Sequence, residues 1–346
     1  MMNFSKSLIK WYLQNKRDLP WRKSADPYPV WLSEIMLQQT RVAQGMPYFL
    51  KFIDAFPTVN DLANATEEHV LKLWQGLGYY SRARNLHATA KYVAYDLNGE
   101  FPGDYKGLLK LKGVGDYTAA AIASICYGEE VPVVDGNVYR VLSRFFGVTT
   151  DISSSLAKKE FRELAAQYLP SGKASEFNQA MMEFGALQCV PKSPNCTDCI
   201  FTADCVAYQT GKVGDLPVKL KKTKITNRYF DYLVVKDARG RSIVNKRSEK
   251  GIWFNLYEFP LLETKKLVVV DEMINLIKEF PEFSFVPSNV ELLNDVVVHK
   301  LSHQHLHIRF WEVITDKLVK ETISREDIKQ YPFPIVIHNF IEKHWD

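Results

Sequence analysis

Long apolar runs are missing from this chain of 346 residues. No stretch approaches the ~20 consecutive apolar residues of a membrane-spanning helix, which excludes a membrane-embedded protein. The first residues, MMNFSKSLIKWYLQNKRDLPWR, lack the apolar core of a signal peptide and read as a helix. Nothing is expected to export or anchor the chain, so a cytoplasmic location follows, nucleoid-associated in a bacterium. A large excess of one charge is missing too: 44 Lys and Arg against 40 Asp and Glu leave a net +4, compatible with a polyanionic partner without requiring one. There is no internal repeat and no low-complexity tract. What remains is globular, 46% hydrophobic and 24% charged, with length for about two domains.

Cysteine is scarce, and its five copies are unevenly spread. Cys126 stands alone in an Ala-rich segment and reads as a small buried apolar residue. Cys189, Cys196, Cys199 and Cys205 form a C-x6-C-x2-C-x5-C pattern, with Pro191, Pro194 and Asn195 keeping the segment looped. In a reducing cytosol four thiols so close together suit a metal site better than disulfides. Zinc and an iron–sulfur cluster both accept four cysteines, and the spacing does not choose between them.

Residues Leu108 to Asn137, LLKLKGVGDYTAAAIASICYGEEVPVVDGN, carry the main organising signal. An amphipathic run, Tyr105 to Leu111, breaks at Gly113-Val114-Gly115, and a helical run resumes from Asp116 to about Tyr127 before Gly128. Glycines on both sides of Val114 allow a tight turn and leave amide N–H groups bare at a helix start, where negative charge is favoured. Such a turn can hold a phosphate or serve only to connect two helices. Asp135 follows within Val133-Val134-Asp135-Gly136-Asn137, either as an N-cap for the helix from Val138 to Phe146 or as a working carboxylate beside the hairpin.

Upstream, Phe4, Leu8, Trp11 and Tyr12 recur at helical spacing, and a Pro-containing loop leads to VWLSEIMLQQTRV. Glu34 is the only acid of that helix. It is either a solvated first-turn Glu favoured by the helix dipole or, among Trp31, Ile35 and Met36, a carboxyl with a raised pKa, as a general acid requires. Further helices are expected over Met46 to Phe56, Thr66 to Gln75, Arg84 to Leu97, Leu156 to Leu169 and Phe177 to Leu187. The turn GLGYYSRARN sets Tyr79 and arginines beside glycines, a composition suited to phosphate contact and base stacking or to ordinary packing of a Tyr-rich turn. Gly211 to Lys224 reads as an exposed basic linker. Beyond it, strands are expected at Tyr229 to Val235, Ser242 to Asn245, Leu267 to Val270, Asp295 to His299 and His305 to Thr315, with helices near Asp271 to Phe280 and Ile335 to His344. The organisation is a helical domain over 1–210, a linker over 211–225 and an α+β domain over 226–346. In the last strand His305, His307 and Arg309 alternate with apolar residues and are expected on an open face.

Together LKGVGDYTAAA, VDGNV, SEIMLQQTRV and the cysteine loop resemble the helix-hairpin-helix, iron–sulfur DNA glycosylases, and within them the adenine-specific mismatch (MutY) branch. The resemblance covers nearly the whole chain, densely to residue 209 and thinly after. It implies an all-α helix-hairpin-helix domain followed by a Nudix-like α+β domain. It also implies a [4Fe–4S] cluster on Cys189, Cys196, Cys199 and Cys205, and a monomer acting on double-stranded DNA with adenine opposite 8-oxoguanine or guanine. Glu34 and Asp135 match the two catalytic carboxylates, which a glycosidic cleavage needs as one proton donor and one anion. Tyr117 takes the place of the Schiff-base Lys found in endonuclease III-type relatives, so a hydrolase without strand cleavage is implied. By the same resemblance Gln38 and Tyr79 wedge the DNA, Arg22 and Glu183 line the adenine pocket, and Ser302-His303 reads the lesion, with Leu301 where the family has Phe. GIWFNLYEFP resembles a Nudix segment, but no acidic helix follows Gly251, so nucleotide hydrolysis by this domain is not expected.

Overall fold

The computed structural model describes residues 4–220, 224–237, 239–279, 287, 289–315 and 322–344. The chain divides into two compact units, one of Met1–Asn64 with Arg84–Lys221, the other of Ala65–Ala83 with Lys222–Asp346. Part of the expected linker, residues 221–223, lies outside the described residues, as does Phe280 at the end of one expected helix.

The helices, in chain order, are α1 (Phe4–Asn15), α2 (Pro27–Met36), α3 (Val42–Ala55), α4 (Val59–Asn64), α5 (Glu67–Leu73), α6 (Tyr80–Asp96), α7 (Tyr105–Leu108), α8 (Asp116–Tyr127), α9 (Gly136–Phe146), α10 (Ser155–Gln167), α11 (Ala174–Leu187), α12 (Val206–Gln209), α13 (Val270–Glu279), α14 (Arg325–Ile328) and α15 (Ile335–His344). None of the described helices is long and apolar enough to cross a membrane. The first unit is all helical. Its core joins Phe4, Leu8 and Trp11 of α1 to Leu142 of α9, Phe161 of α10 and Phe184 of α11. The Phe4 ring stacks on Phe201 at 5.0 Å, which ties the N-terminal helix to the cysteine loop. The start of the expected linker is no free tether: buried Leu216 accepts from the Arg144 guanidinium at 3.0 Å, and Ile152 N–H donates to the Val218 carbonyl at 2.9 Å.

α2 is shorter than its apolar pattern suggests. Asp26 caps it through Tyr28 N–H and Pro27 pre-sets its first turn, but it ends at Met36, and Leu37 to Thr40 form a turn in which Gln39 has φ 57°.

The second unit is built on two long neighbouring strands. β1 (Thr226–Lys236) and β8 (Gln304–Ile314) run parallel in register from Thr226↔Gln304 to Lys236↔Ile314. Shorter strands complete the sheet: β2 (Ser242–Ile243), β5 (Leu261–Thr264), β6 (Asn289–Leu292), β7 (Val297–Lys300) and β9 (Thr322–Ile323), while β3 (Asn245–Lys246) pairs with β4 (Tyr257–Glu258). Two expectations fail here. The strand expected at Leu267 to Val270 is instead a connection running into α13, the strand being Leu261–Thr264. Arg309 is not on an open face: it is buried, donating through Nε to Asp231 and through Nη1 to the Val268 carbonyl, each at 2.8 Å. Trp311 Nε1 donates to the same Asp231 oxygen at 2.8 Å, so the sheet buries a compensated ion pair that period-two patterning reads as exposed.

Candidate active site

Two helix ends in the first unit bring the carboxylates together. Glu34 occupies the last turn of α2, which packs against α8, and its side chain is buried. The hydroxyl of Tyr117, on the first turn of α8, donates to Glu34 Oε2. Burial pushes the Glu34 carboxyl up to about 7, the Tyr117 bond opposing, the charge of Asp135 adding, and Arg22 opposing. Tyr117, itself raised well above its ordinary value by burial, stays a neutral donor.

Asp135 caps α9 as its sequence position suggests, accepting from Val138 N–H at 2.8 Å, while its other oxygen accepts from Asn137 Nδ2 at 2.8 Å. Burial raises its pKa; those donors and the charge of Arg140 pull it back toward the anion. Its carboxylate is thus fully engaged on one side and faces two cavities on the other. One cavity, of about 630 Å³, contains Glu34, Tyr117, Asp135, Arg22 and Glu183. That volume is within the range of about 300–1,000 Å³ typical of small-ligand sites. Among the described residues lining it there is no lysine.

Glu183 of α11 closes this cavity with a carboxylate held down to about 2: burial raises it, but hydrogen bonds from Arg17 and Arg22 more than reverse that. Arg17 donates through Nε at 2.8 Å, Nη2 at 2.7 Å and its backbone N–H at 2.9 Å, and Arg22 Nη2 lies at 2.8 Å. Sequence reasoning missed Arg17, since KRD before a proline looks like surface charge. It missed Asn137 and Arg140 as well, although Asn137 stands within the quoted VDGN.

The second cavity, a groove of about 830 Å³, is lined by Gln38, Gln39, Gly115, Tyr117, Asp135 and the basic side chains of Lys158, Lys159 and Arg162. Gly113 has φ 79°, and a Cβ there would lie 2.8 Å from the Asn85 Cβ, so both conformation and space demand glycine. Val114 is buried, whereas Gly115 starts α8 with no side-chain cap, leaving first-turn N–H groups available. Gln38 is committed to Thr118, donating to Oγ1 at 3.2 Å, while Gln39 beside it has the left-handed backbone. Tyr79 is not brought to this site's unit; it belongs to the second, with φ 47° and an exposed ring.

The four cysteines line one cavity between α9, α11 and the loop that follows. Several donors face the sulfurs: Arg144 Nη1 lies 3.5 Å from Cys189 Sγ, and Phe201 N–H 3.4 Å from Cys199 Sγ. Among the described residues no three His, Cys, Asp or Glu side chains converge as a single ion needs. Cys126 is apart from the four, half-buried in α8, its thiol pushed up to about 12 by burial. Hydrogen bonds also connect this loop with the carboxylates: Arg140 donates through Nε to the Cys189 carbonyl at 2.7 Å and through Nη2 to Asn137 Oδ1 at 2.8 Å, and Asn137 reaches Asp135.

In the second unit β7 and β8 form a hairpin, Lys300 opposite His305, with Leu301 N–H donating to the Gln304 carbonyl at 2.8 Å. Ser302 and His303 sit exposed at its tip, 3.2 Å apart between Oγ and Nδ1, and Gln304 Nε2 lies 2.8 Å from His303 Nε2.

Residues 32–167 match the family model of the HhH-GPD superfamily base excision DNA repair proteins, and residues 231–343 that of the NUDIX domain. An adenine DNA glycosylase of Buchnera aphidicola subsp. Schizaphis graminum is 35% identical over 310 residues, 88% of this chain and 86% of that protein. The chain belongs to the adenine DNA glycosylase family. The human adenine DNA glycosylase is 46% identical over 215 residues, which are 60% of this chain and 39% of the human protein. Among solved structures, a thermostable thymine-DNA glycosylase matches with TM-score 0.55 and 31% identity over 60% of this chain and 95% of that one. A trapped endonuclease III–DNA covalent intermediate matches with TM-score 0.53 over 60% of this chain and 94% of that one; at 23% identity it shows the shared fold. The helical base-excision-repair domain is thus followed by a Nudix-like domain.

Proposed function

We propose that this adenine DNA glycosylase is a monofunctional, monomeric enzyme that hydrolyses the N-glycosidic bond of adenine opposite 8-oxoguanine or guanine in double-stranded DNA, in the cytoplasm or nucleoid. The observation that carries the reading is the union of Glu34, bonded by Tyr117, with Asp135 in one cavity large enough to admit a base. Adenine stacked in a duplex is out of reach, so it must first be flipped into that cavity. Glu34, with a pKa of about 7, still carries a proton near neutral pH and can pass it to adenine N7. As the C1′–N9 bond breaks, its electron pair leaves with the base and positive charge develops on the sugar. Asp135, its anion supported by Val138 N–H and Asn137, offsets that charge at short range. Water then adds to C1′ and gives up a proton, leaving neutral adenine and an abasic site. Tyr117 orients the acid where a lyase would carry an amine, which supports hydrolysis without strand cleavage.

Bare amides at the start of α8 and the basic residues of the groove would hold the phosphates, and Gln38 and Tyr79, on their separate units, would wedge the DNA. Cys189, Cys196, Cys199 and Cys205 would hold a [4Fe–4S] cluster, and the donors facing their sulfurs fit thiolate ligands. When bound, the cluster supplies metal–thiolate bonds that cross-link the loop after α11. Ser302 and His303, at an exposed hairpin tip, would read the base opposite adenine.

Single-turnover assays on duplexes with adenine opposite 8-oxoguanine, guanine or thymine, and on thymine glycol, test this reading. Adenine release from the first two, with no strand cleavage and no borohydride-trapped adduct, is expected. Excision of thymine glycol with trapping would replace it by an endonuclease III-type activity.

A further inference from the structure

Tyr79 lies in an over-determined turn. Gly76, Gly78 and Tyr79 have φ of 96°, 76° and 47°, and for the tyrosine that region is costly. Its ring remains 46% exposed, with the Arg82 guanidinium 5.5 Å from the centroid. Such strain persists only where neighbours enforce it. Here Trp74 Nε1 donates to the Gly78 carbonyl at 3.0 Å, and Arg82 Nη2 to the Leu77 and Gly78 carbonyls at 3.2 Å.

A second set of bonds reaches outward, into the C-terminal part of the same unit. The hydroxyl of buried Tyr80 accepts from Gly76 N–H and donates to the Phe333 carbonyl, both at 3.3 Å. Gln75 Oε1 accepts from Phe333 N–H at 3.1 Å, and Lys72 donates to the Tyr331 carbonyl at 3.1 Å. At the other end of α5, Glu67 accepts from Asn255 at 2.5 Å, and Glu68 from Lys246 at 2.8 Å and Tyr257 at 2.7 Å. Residues 65–83 are therefore fastened at both ends to the unit that holds the Ser302-His303 hairpin, far away in sequence. Both polar groups of the Phe333 backbone are spent on the two residues flanking the strained turn.

We propose that Gln75 and Tyr80 are positioning residues that lock the Tyr79 turn to the hairpin-bearing unit and so set the preference for the base opposite adenine. The proposal rests on the reading that Tyr79 enters the DNA and that this unit reads the opposite base. It requires the two elements to act as one rigid reader, whose precision depends on the bonds to Phe333.

The test compares single-turnover adenine release opposite 8-oxoguanine and opposite guanine in the full-length protein. Tyr80→Phe keeps the buried ring and removes the bridging hydroxyl, and Gln75→Met removes the acceptor. Each lowers the ratio of the two rates at least five-fold, while Gln75→Glu, which still accepts from Phe333, keeps it within two-fold. Tyr79→Ala, measured alongside, also lowers the ratio. If Tyr79→Ala lowers it and both Tyr80→Phe and Gln75→Met leave it unchanged, the positioning role is overturned and the reading of Tyr79 stands. If Tyr79→Ala has no effect either, the reading beneath the proposal fails with it. Equal loss on both substrates in Tyr80→Phe and Gln75→Met would mark a general structural role and likewise overturn it.

Discussion

The phenol of Tyr117 donates to Oε2 of Glu34, joining the first turn of α8 to the last turn of α2. The bond favours the Glu34 carboxylate and opposes the burial that raises its pKa to about 7. Removing it in Tyr117→Phe should push the acid higher still. The basic limb of the single-turnover pH profile then moves to higher pH, while the maximal rate falls about tenfold, the worth of about one hydrogen bond. A limb that stays or moves toward lower pH would mean that Glu34 is not the titrating acid.

Glu34→Gln should abolish adenine release and leave mismatch binding largely intact, since the amide keeps the shape and lacks the proton. It should also stabilise the protein in alkali. Glu34 moves from an ordinary 4.5 to about 7 on folding, so the folded state retains the proton longer, and stability falls as pH rises between those values. Above about 7 the whole penalty, on the order of 3 kcal/mol, is in force. Urea midpoints should show the variant more stable than wild type near pH 8, with the gain gone near pH 4. A pH-independent difference would refute the buried-acid account.

The clamp on Glu183 works with the opposite sign. Its carboxyl drops from 4.5 to about 2, so its contribution is present above about 4.5 and is lost as pH falls through about 2. Glu183→Gln keeps the volume and loses the charge facing Arg17 and Arg22, at an expected cost of about 2–3 kcal/mol near pH 7. Denaturation curves across pH should show the gap to wild type narrowing with acid. A gap that widened in acid would contradict this arrangement.

Purified protein should be brown, because iron–thiolate ligation brings visible charge-transfer absorption that d¹⁰ zinc lacks. Cys199→Ser should bleach it and loosen the loop after α11. Since Arg140 connects the Cys189 carbonyl to Asn137 and thence to Asp135, adenine release should fall as well. A colourless, zinc-loaded and fully active preparation would rule the cluster out.

Ser302→Ala with His303→Ala should lower the preference for adenine opposite 8-oxoguanine over guanine by about 1–3 kcal/mol, the usual worth of a base contact. Oxidation adds an O8 acceptor and turns N7 into a donor, which a hydroxyl able to donate and accept can distinguish. Release opposite guanine should stay near normal. Retention of the full preference in binding and excision would show that this tip is not the reader.

Local chemistry made much of this protein legible in its sequence. Gly113 is glycine because the tight turn needs φ 79°, and Asp135 caps the helix that starts beside it. Those are short-range matters, settled within a helical turn or a tight loop. Glu34 is visible as the lone acid of an apolar helix, although whether it is solvated or buried was settled by the packing of α2 on α8. Which distant groups meet was decided only by tertiary packing. Arg17 finds Glu183 across 166 positions, and Arg309 is buried because the parallel register of β1 and β8 brings Asp231 alongside it. The placement of residues 65–83 with the C-terminal unit was equally hidden, because one end is held by the backbone of residues 331–333 and the other by Lys246, Asn255 and Tyr257, all far away in sequence. Backbone groups carry no residue identity, and surface polar residues pair only once packing brings them together.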